Sequence, residues 1–210
     1  WEQWENGLDK TLDKTLGTPC NASNQTTLLI AGGHGVFVQC QQQRWRERLT
    51  RVAPHLGRLG AVCTGAFLLA DAGLLDGRSA TTHWRHCRRL ADDFPQVRVQ
   101  ADALYVHDGG RYTSAGVTAG IDLALSLVES DLGAEAAAAV ARELVRGIVD
   151  LAHGQDLDVV AEGVETRVQH EWIRSFGCEY SQGFLLAHPE SRSAACQRVV
   201  DRPTEQPGPL

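Results

Sequence analysis

Cys63 stands between a short apolar run, Leu59-Gly60-Ala61-Val62, and a second one from Ala66 to Ala72, with Gly65 two residues after it. A cysteine where a buried strand turns sharply into a helix has the layout of a nucleophile elbow. Such a turn lifts the sulfur out of the sheet and sets it at a helix N-terminus. Backbone N–H groups there favour a thiolate and can stabilise an oxyanion. Upstream, Thr27-Leu28-Leu29-Ile30-Ala31 ends in Gly32-Gly33-His34-Gly35, the profile of a buried strand followed by a tight loop. His83 is the imidazole that could serve Cys63 as a base; its other reading is structural, in packing and hydrogen bonding. Cys20, Cys40, Cys87, Cys178 and Cys196 form no C-x-x-C pair and no zinc-like spacing, so all the thiols are expected to be reduced. Asn21-Ala-Ser23 and Asn24-Gln-Thr26 match the glycosylation pattern without a secretion signal to accompany them.

The elements that must position these groups follow from periodicity. Leu8, Leu12 and Leu16 predict a short marginal helix, then a polar linker through Gly17, Thr18 and Pro19. A polar helix over 45–58 faces Leu49, Val52 and Leu56 inward, and Leu59–Val62 is a second buried strand. From residue 78 the pattern becomes short strands: Ser79–Thr82, Val97–Val99, Leu104–His107 and Arg111–Ser114, with Asp108-Gly109-Gly110 as a hairpin signal. A helix over Thr118–Ser130 is expected to turn Ile121, Leu125 and Val128 to one face. Another begins after Gly133 and runs unbroken to about Gly154. A strand at Asp158–Ala161, a helix at Arg167–Phe176 and a strand at Glu179–Gln182 form a β-α-β unit, and the tail from Arg202 is loose. Alternation of strand and helix predicts an α/β protein with a mostly parallel sheet and flanking helices.

Longer stretches carry a resemblance. Ala61-Val62-Cys63-Thr64-Gly65-Ala66-Phe67-Leu68-Leu69-Ala70, Ala72-Gly73-Leu74-Leu75-Asp76-Gly77-Arg78, Ala80-Thr81-Thr82-His83-Trp84 and Thr113-Ser114-Ala115-Gly116-Val117-Thr118-Ala119-Gly120-Ile121-Asp122 are similar to the PfpI-type branch of the class I glutamine amidotransferase-like superfamily. Within it, they most resemble the sensory domains of AraC-type transcriptional regulators and the isocyanide hydratases. The resemblance implies a flavodoxin-like fold, truncated at its N-terminal side, with Cys63 at the elbow and Gly32 and Gly33 supplying oxyanion-hole donors. Proteases and amidases of the superfamily place His directly after the cysteine. Thr64 stands there, as in the regulators and hydratases.

A second resemblance lies downstream. Asp150-Leu151-Ala152-His153, Val159-Val160-Ala161-Glu162-Gly163-Val164-Glu165-Thr166, Gln169, Gly177-Cys178 and Gln182-Gly183-Phe184 resemble the closing units of EAL-type cyclic di-GMP phosphodiesterases, which are TIM-type barrels. It implies that Glu162 matches a glutamate serving the catalytic metal and attacking water, that Glu165 supports it and that Gln182 contacts the site. Magnesium or manganese would be the metal, should that site function. Read from the residues alone, Glu162 and Glu165 are solvated carboxylates at a helix start. The rest of the family's ligand set has no counterpart upstream, so the piece is an incomplete EAL domain.

Composition bounds the rest. At 210 residues, 43% hydrophobic and 22% charged, the chain can build a core and is neither disordered nor fibrous. A net charge of −6 argues against a protein whose main task is covering phosphate backbone, and nothing after residue 150 resembles paired helix-turn-helix units, so direct DNA binding is not implied. No apolar run approaches the ~20 residues of a membrane span, which predicts no membrane partner and a cytoplasmic location. Methionine is absent and both lysines, Lys10 and Lys14, precede every arginine. That predicts a fragment, a processed product or an engineered segment whose first residues have a separate origin. The expected organisation is a leader over 1–26, the amidotransferase-like domain over 27–145, the EAL fragment over 146–201 and a tail over 202–210, with a seam near Ala141–Gly147. The expected function is a non-catalytic, small-molecule-sensing domain fused to that fragment. Two alternatives stand beside it: a Cys63-dependent hydratase or hydrolase assisted by Thr64, and a cyclic di-GMP-binding module. Uncovered sheet edges predict a homodimer.

Overall fold

The computed structural model describes residues 26–40, 42–191 and 193. The expected helix over Leu8–Leu16, Cys20, Asn21, Cys196 and the tail from Arg202 lie outside the described residues, as does Asn24. The chain divides into two compact units, 1–137 and 138–210.

In the first unit, β1 (Thr27–Ile30), β2 (Arg58–Val62), β5 (Tyr105–Asp108) and β6 (Arg111–Ser114) form one sheet in the order β1-β2-β6-β5. Pairing is parallel from β1 to β2 and from β2 to β6, with Ile30 opposite Ala61 and Val62 opposite Ser114. The β5–β6 pair is antiparallel, closed by Gly109 and Gly110 with φ of 57° and 76°. Two consecutive positive φ values make the two-residue turn that matches strand twist, and glycine meets that demand without strain. A second, two-stranded parallel sheet pairs β3 (Ser79–Ala80) with β4 (Arg98–Val99).

Helices cover the sheet because their apolar spacing demands it. α1 (Val36–Gln39), α2 (Gln43–Val52), α3 (Ala66–Asp71) and α4 (Cys87–Asp93) surround a core of Leu49, Leu59, Phe67, Leu69, Leu75 and Leu90. α2 is shorter than its sequence pattern, because Pro54 stands in a 3₁₀ turn, Ala53–His55, that takes over after Val52. α3 is apolar except for Asp71 at its end, and its other five residues are buried, as a helix held between a sheet and other helices must be.

α5 (Val117–Leu132) runs as expected, but the face differs. Ala119, Leu123 and Leu127 are buried, while Ile121 is 45% exposed and Leu125 and Val128 are half-buried. Apolar residues occupy more than one stripe of this helix, so periodicity alone did not choose between them. The sheet did: Leu123 and Leu127 pack with Tyr112 of β6.

In the second unit, α6 (Ala134–His153) is continuous through the expected seam, with its first four residues in the first unit. β7 (Val160–Ala161), α7 (Arg167–Ser175) and β8 (Tyr180–Ser181) make the expected β-α-β unit, with β7 and β8 parallel. Thr166 and Gln169 form a reciprocal capping box at the start of α7. Arg142 and Arg146 lie over the rings of Trp172 and Phe176, and His153 contacts Glu179 at 2.9 Å. Val149 and Val164 are the buried hydrophobic residues of this unit among those described.

The face correction has a measurable consequence. Leu123→Ala should cost about 2–5 kcal/mol by guanidinium denaturation, whereas Ile121→Ala should stay within about 0.5 kcal/mol. A large loss from Ile121→Ala would reverse the assignment.

Candidate functional site

The elbow forms where β2 ends. Cys63 has φ 58°, a left-handed conformation that a residue with a Cβ adopts at a cost of about 1–2 kcal/mol. The surrounding bonds impose it. Cys63–Gly65 form a 3₁₀ turn leading directly into α3. Buried Thr82 donates its hydroxyl to the Cys63 carbonyl at 2.8 Å. Thr64 faces the Gly-Gly loop after β1: its Oγ1 accepts the Gly33 N–H at 2.8 Å and donates back to the Gly33 carbonyl at 3.2 Å.

The structure therefore brings Cys63, Thr64, Gly32 and Gly33 together. A Cβ on Gly32 would lie 2.8 Å from the Cys63 Cβ and 2.8 Å from the Thr64 nitrogen, so glycine is what lets the loop close over the turn. Two of the expected contributions, those of Gly33 and Thr64, are already engaged. The Gly33 N–H, an expected oxyanion donor, is held by Thr64, and the single Thr64 hydroxyl proton is held by Gly33.

His83 takes the structural role. Its Nδ1 accepts the Arg85 N–H at 3.2 Å, and its ring stacks on Trp84 at 5.6 Å between centroids. Among the described residues, no imidazole or carboxylate hydrogen-bonds the Cys63 sulfur. His86 lies edge-on to Phe37 and Phe67. Burial first, then His83 and Arg89, lower its pKa from the ordinary imidazole value.

Sequence reasoning missed Thr82. Its signal was available: a hydroxyl in a buried segment must find a partner, and the carbonyl of a sharply turned residue is a ready one. Cys40, Cys63, Cys87 and Cys178 are free thiols. Burial, followed by the nearby Asp71 carboxylate, pushes the Cys40 thiol up to about 11.

In the second unit, Gln182 Nε2 donates to Glu162 Oε1 at 3.3 Å, so those two expected site residues meet. Glu165 lies exposed beside the α7 cap, where its N–H donates to Gln169 Oε1 at 2.9 Å. Among the described residues, no group of three or more His, Cys, Asp or Glu side chains could hold a metal ion. One carboxylate bonded to an amide is not a donor set for magnesium or manganese, so the residues present do not fit that metal.

Comparison with known proteins settles the fold family. The profile of the DJ-1/PfpI family matches residues 3–130. The chain belongs to the DJ-1/PfpI family. The EAL domain profile matches residues 120–189, so this DJ-1/PfpI chain carries both expected sequences. It is 37% identical over 142 residues to the HTH-type transcriptional regulator GbdR of Pseudomonas aeruginosa, covering 66% of this chain and 36% of the regulator. It is 33% identical over 118 residues to an isonitrile hydratase of Pseudomonas putida, covering 56% of this chain and 50% of the hydratase. The chain thus spans half or less of these relatives. The crystal structure of Drosophila melanogaster DJ-1beta superposes with a TM-score of 0.53 at 22% identity, covering 64% of this chain and 68% of that one, which supports the shared α/β fold. No helix among the described residues is long and apolar enough to cross a membrane.

Two outcomes follow for the DJ-1/PfpI unit. Thr64→Val should cost about 0.5–1.5 kcal/mol in guanidinium denaturation, for hydrogen bonds made at a partly solvated loop. Iodoacetamide labelling of Cys40, read by peptide mass spectrometry, should stay slow at pH 8 and climb only towards pH 11, because the raised pKa keeps the protonated thiol over that range. Fast labelling of Cys40 at pH 8 would show that its half-buried surroundings do not hold the thiol protonated.

Proposed function

We propose that the first unit is a non-catalytic, small-molecule-sensing domain of the transcriptional-regulator type, fused to an incomplete EAL domain. One observation carries this reading. The reciprocal Gly33–Thr64 hydrogen bonds occupy the loop N–H and the hydroxyl proton that an acyl-transfer or hydration site would need free. Among the described residues no imidazole or carboxylate hydrogen-bonds the Cys63 sulfur, which supports the same conclusion, since activation of a nucleophile needs a base. Likeness to the regulator GbdR is consistent with it. The cytoplasm is the compartment this reading implies.

A second reading has its own support. The strained φ of Cys63 is the kind of backbone cost that persists at reactive positions, and an isonitrile hydratase is among the relatives. In that reading Cys63 attacks the substrate carbon. Thr64 would first have to release Gly33, freeing one donor for the developing anion. Cyclic di-GMP binding by the second unit would have to proceed without a metal held by Glu162.

The two readings of Cys63 separate in one assay. Hydration of an alkyl isocyanide, followed as formamide release, should proceed at the uncatalysed rate with both the natural chain and Cys63→Ala. A rate at least about a hundredfold above background that disappears in Cys63→Ala would install the hydratase reading instead.

A further inference from the structure

Three guanidinium groups gather at the β5–β6 hairpin, at the end of the sheet away from Cys63. β6 separates the two places by about 10 Å at 3.3 Å per residue. Asp108 is the carboxylate that Arg78 and Arg98 share. Its Oδ2 accepts the Ser79 N–H at 2.7 Å and Arg98 Nη2 at 3.3 Å, and Arg78 Nη1 lies 3.7 Å from Oδ1 while donating to the Asp108 carbonyl at 3.2 Å. Arg111 is directly opposite Asp108 in the antiparallel register, hence on the same face of the hairpin.

Arg111 gains nothing from that carboxylate. Its Nε is buried and has no hydrogen-bond partner. Asp131 is engaged elsewhere, accepting from Arg58 Nη1 at 2.7 Å. Among the described residues, three positive charges against the Asp108 carboxylate leave a surplus of two. Arginine cannot shed its proton to escape, and an unpaired, partly desolvated guanidinium is costly. Burial and the neighbouring Arg78 both lower the Arg111 pKa from its ordinary value, the sign of a cation lacking a counter-charge. The hairpin also keeps room for the cluster, since a Cβ on Gly109 would collide with Arg78 Nη1.

We propose that Arg111, with Arg78 and Arg98, binds a phosphate-type oxyanion, either free phosphate or a small phosphate monoester, on the hairpin face. The terminal N–H groups of Arg111, beyond its buried Nε, donate to the anion and the flanking guanidinium groups take the other oxygens. Planar guanidinium donors suit a tetrahedral oxyanion because they offer paired, parallel N–H groups. This site is independent of Cys63 and of how the elbow is read.

Isothermal titration of the full chain with inorganic phosphate, against chloride at matched ionic strength, tests it. One saturable site is expected, weakened at least about tenfold in Arg111→Gln, as for loss of a charged hydrogen bond. Arg88→Gln, at an exposed residue paired with Asp92 elsewhere, should bind as the natural chain does. In phosphate-free buffer Arg111→Gln should be at least as stable as the natural chain, because it removes an unpaired charge. Should that variant fail to fold, Arg98→Gln, whose side chain is 65% exposed, should still weaken phosphate severalfold. A parallel titration with a nucleoside 5′-monophosphate separates the sources. Tighter binding than phosphate, lost with Arg111, assigns an ester, and equal binding assigns free phosphate. Absence of saturable binding, or binding equally strong in Arg111→Gln and Arg98→Gln, overturns the proposal.

Discussion

The left-handed turn at Cys63 is the constraint on which the first unit's site depends. A residue with a Cβ resists that conformation by an amount comparable to one or two hydrogen bonds. The turn therefore exists only because contacts from distant parts of the chain hold it. Thr82 holds the Cys63 carbonyl, Thr64 ties the next residue to the β1 loop, and Gly32 permits that loop to approach. Remove the neighbours and the elbow has no local reason to form. The same contacts that shape it also occupy the groups a catalyst would want, so stability and reactivity compete for one pair of hydrogen bonds.

Much of the architecture was legible from spacing. The strand before Gly32, the strand before Cys63 and the β-α-β unit after residue 158 lie where alternation and apolar runs place them, within a residue or two. α6 was readable as one helix because no proline interrupts it and Gly147 stands alone within an otherwise continuous helical pattern up to Gly154. What failed was the choice of face on α5, where apolar residues outnumber the positions a single stripe can bury. A sequence reading cannot rank stripes without knowing what the sheet presents, and here Tyr112 decided for Leu123 and Leu127.

The site divides in the same way. Cys63 and the Gly-Gly loop announced themselves because strand, nucleophile and helix follow one another in the chain. Thr82 did not, since it reaches Cys63 only through tertiary folding. In the second unit, where the EAL profile matches, the structure brings the Glu162 and Gln182 side chains together. With no further carboxylate beside them among the described residues, they form a hydrogen bond rather than a metal site. Motifs report ancestry locally, while chemistry depends on groups converging from elsewhere.

The parallel register of β1, β2 and β6 has a consequence for how this geometry arises. Thr27 pairs with Arg58, and Leu59 with Arg111, so each pairing closes a loop of tens of residues before any ladder bond rewards it. A peptide spanning only Leu59 to Ala72 would contain the cysteine, its threonine and the following helix sequence. It would have neither Gly33 nor Thr82 to bend it. The elbow is thus a property of long-range assembly, and proteolytic or synthetic fragments of this chain would carry its residues without its shape.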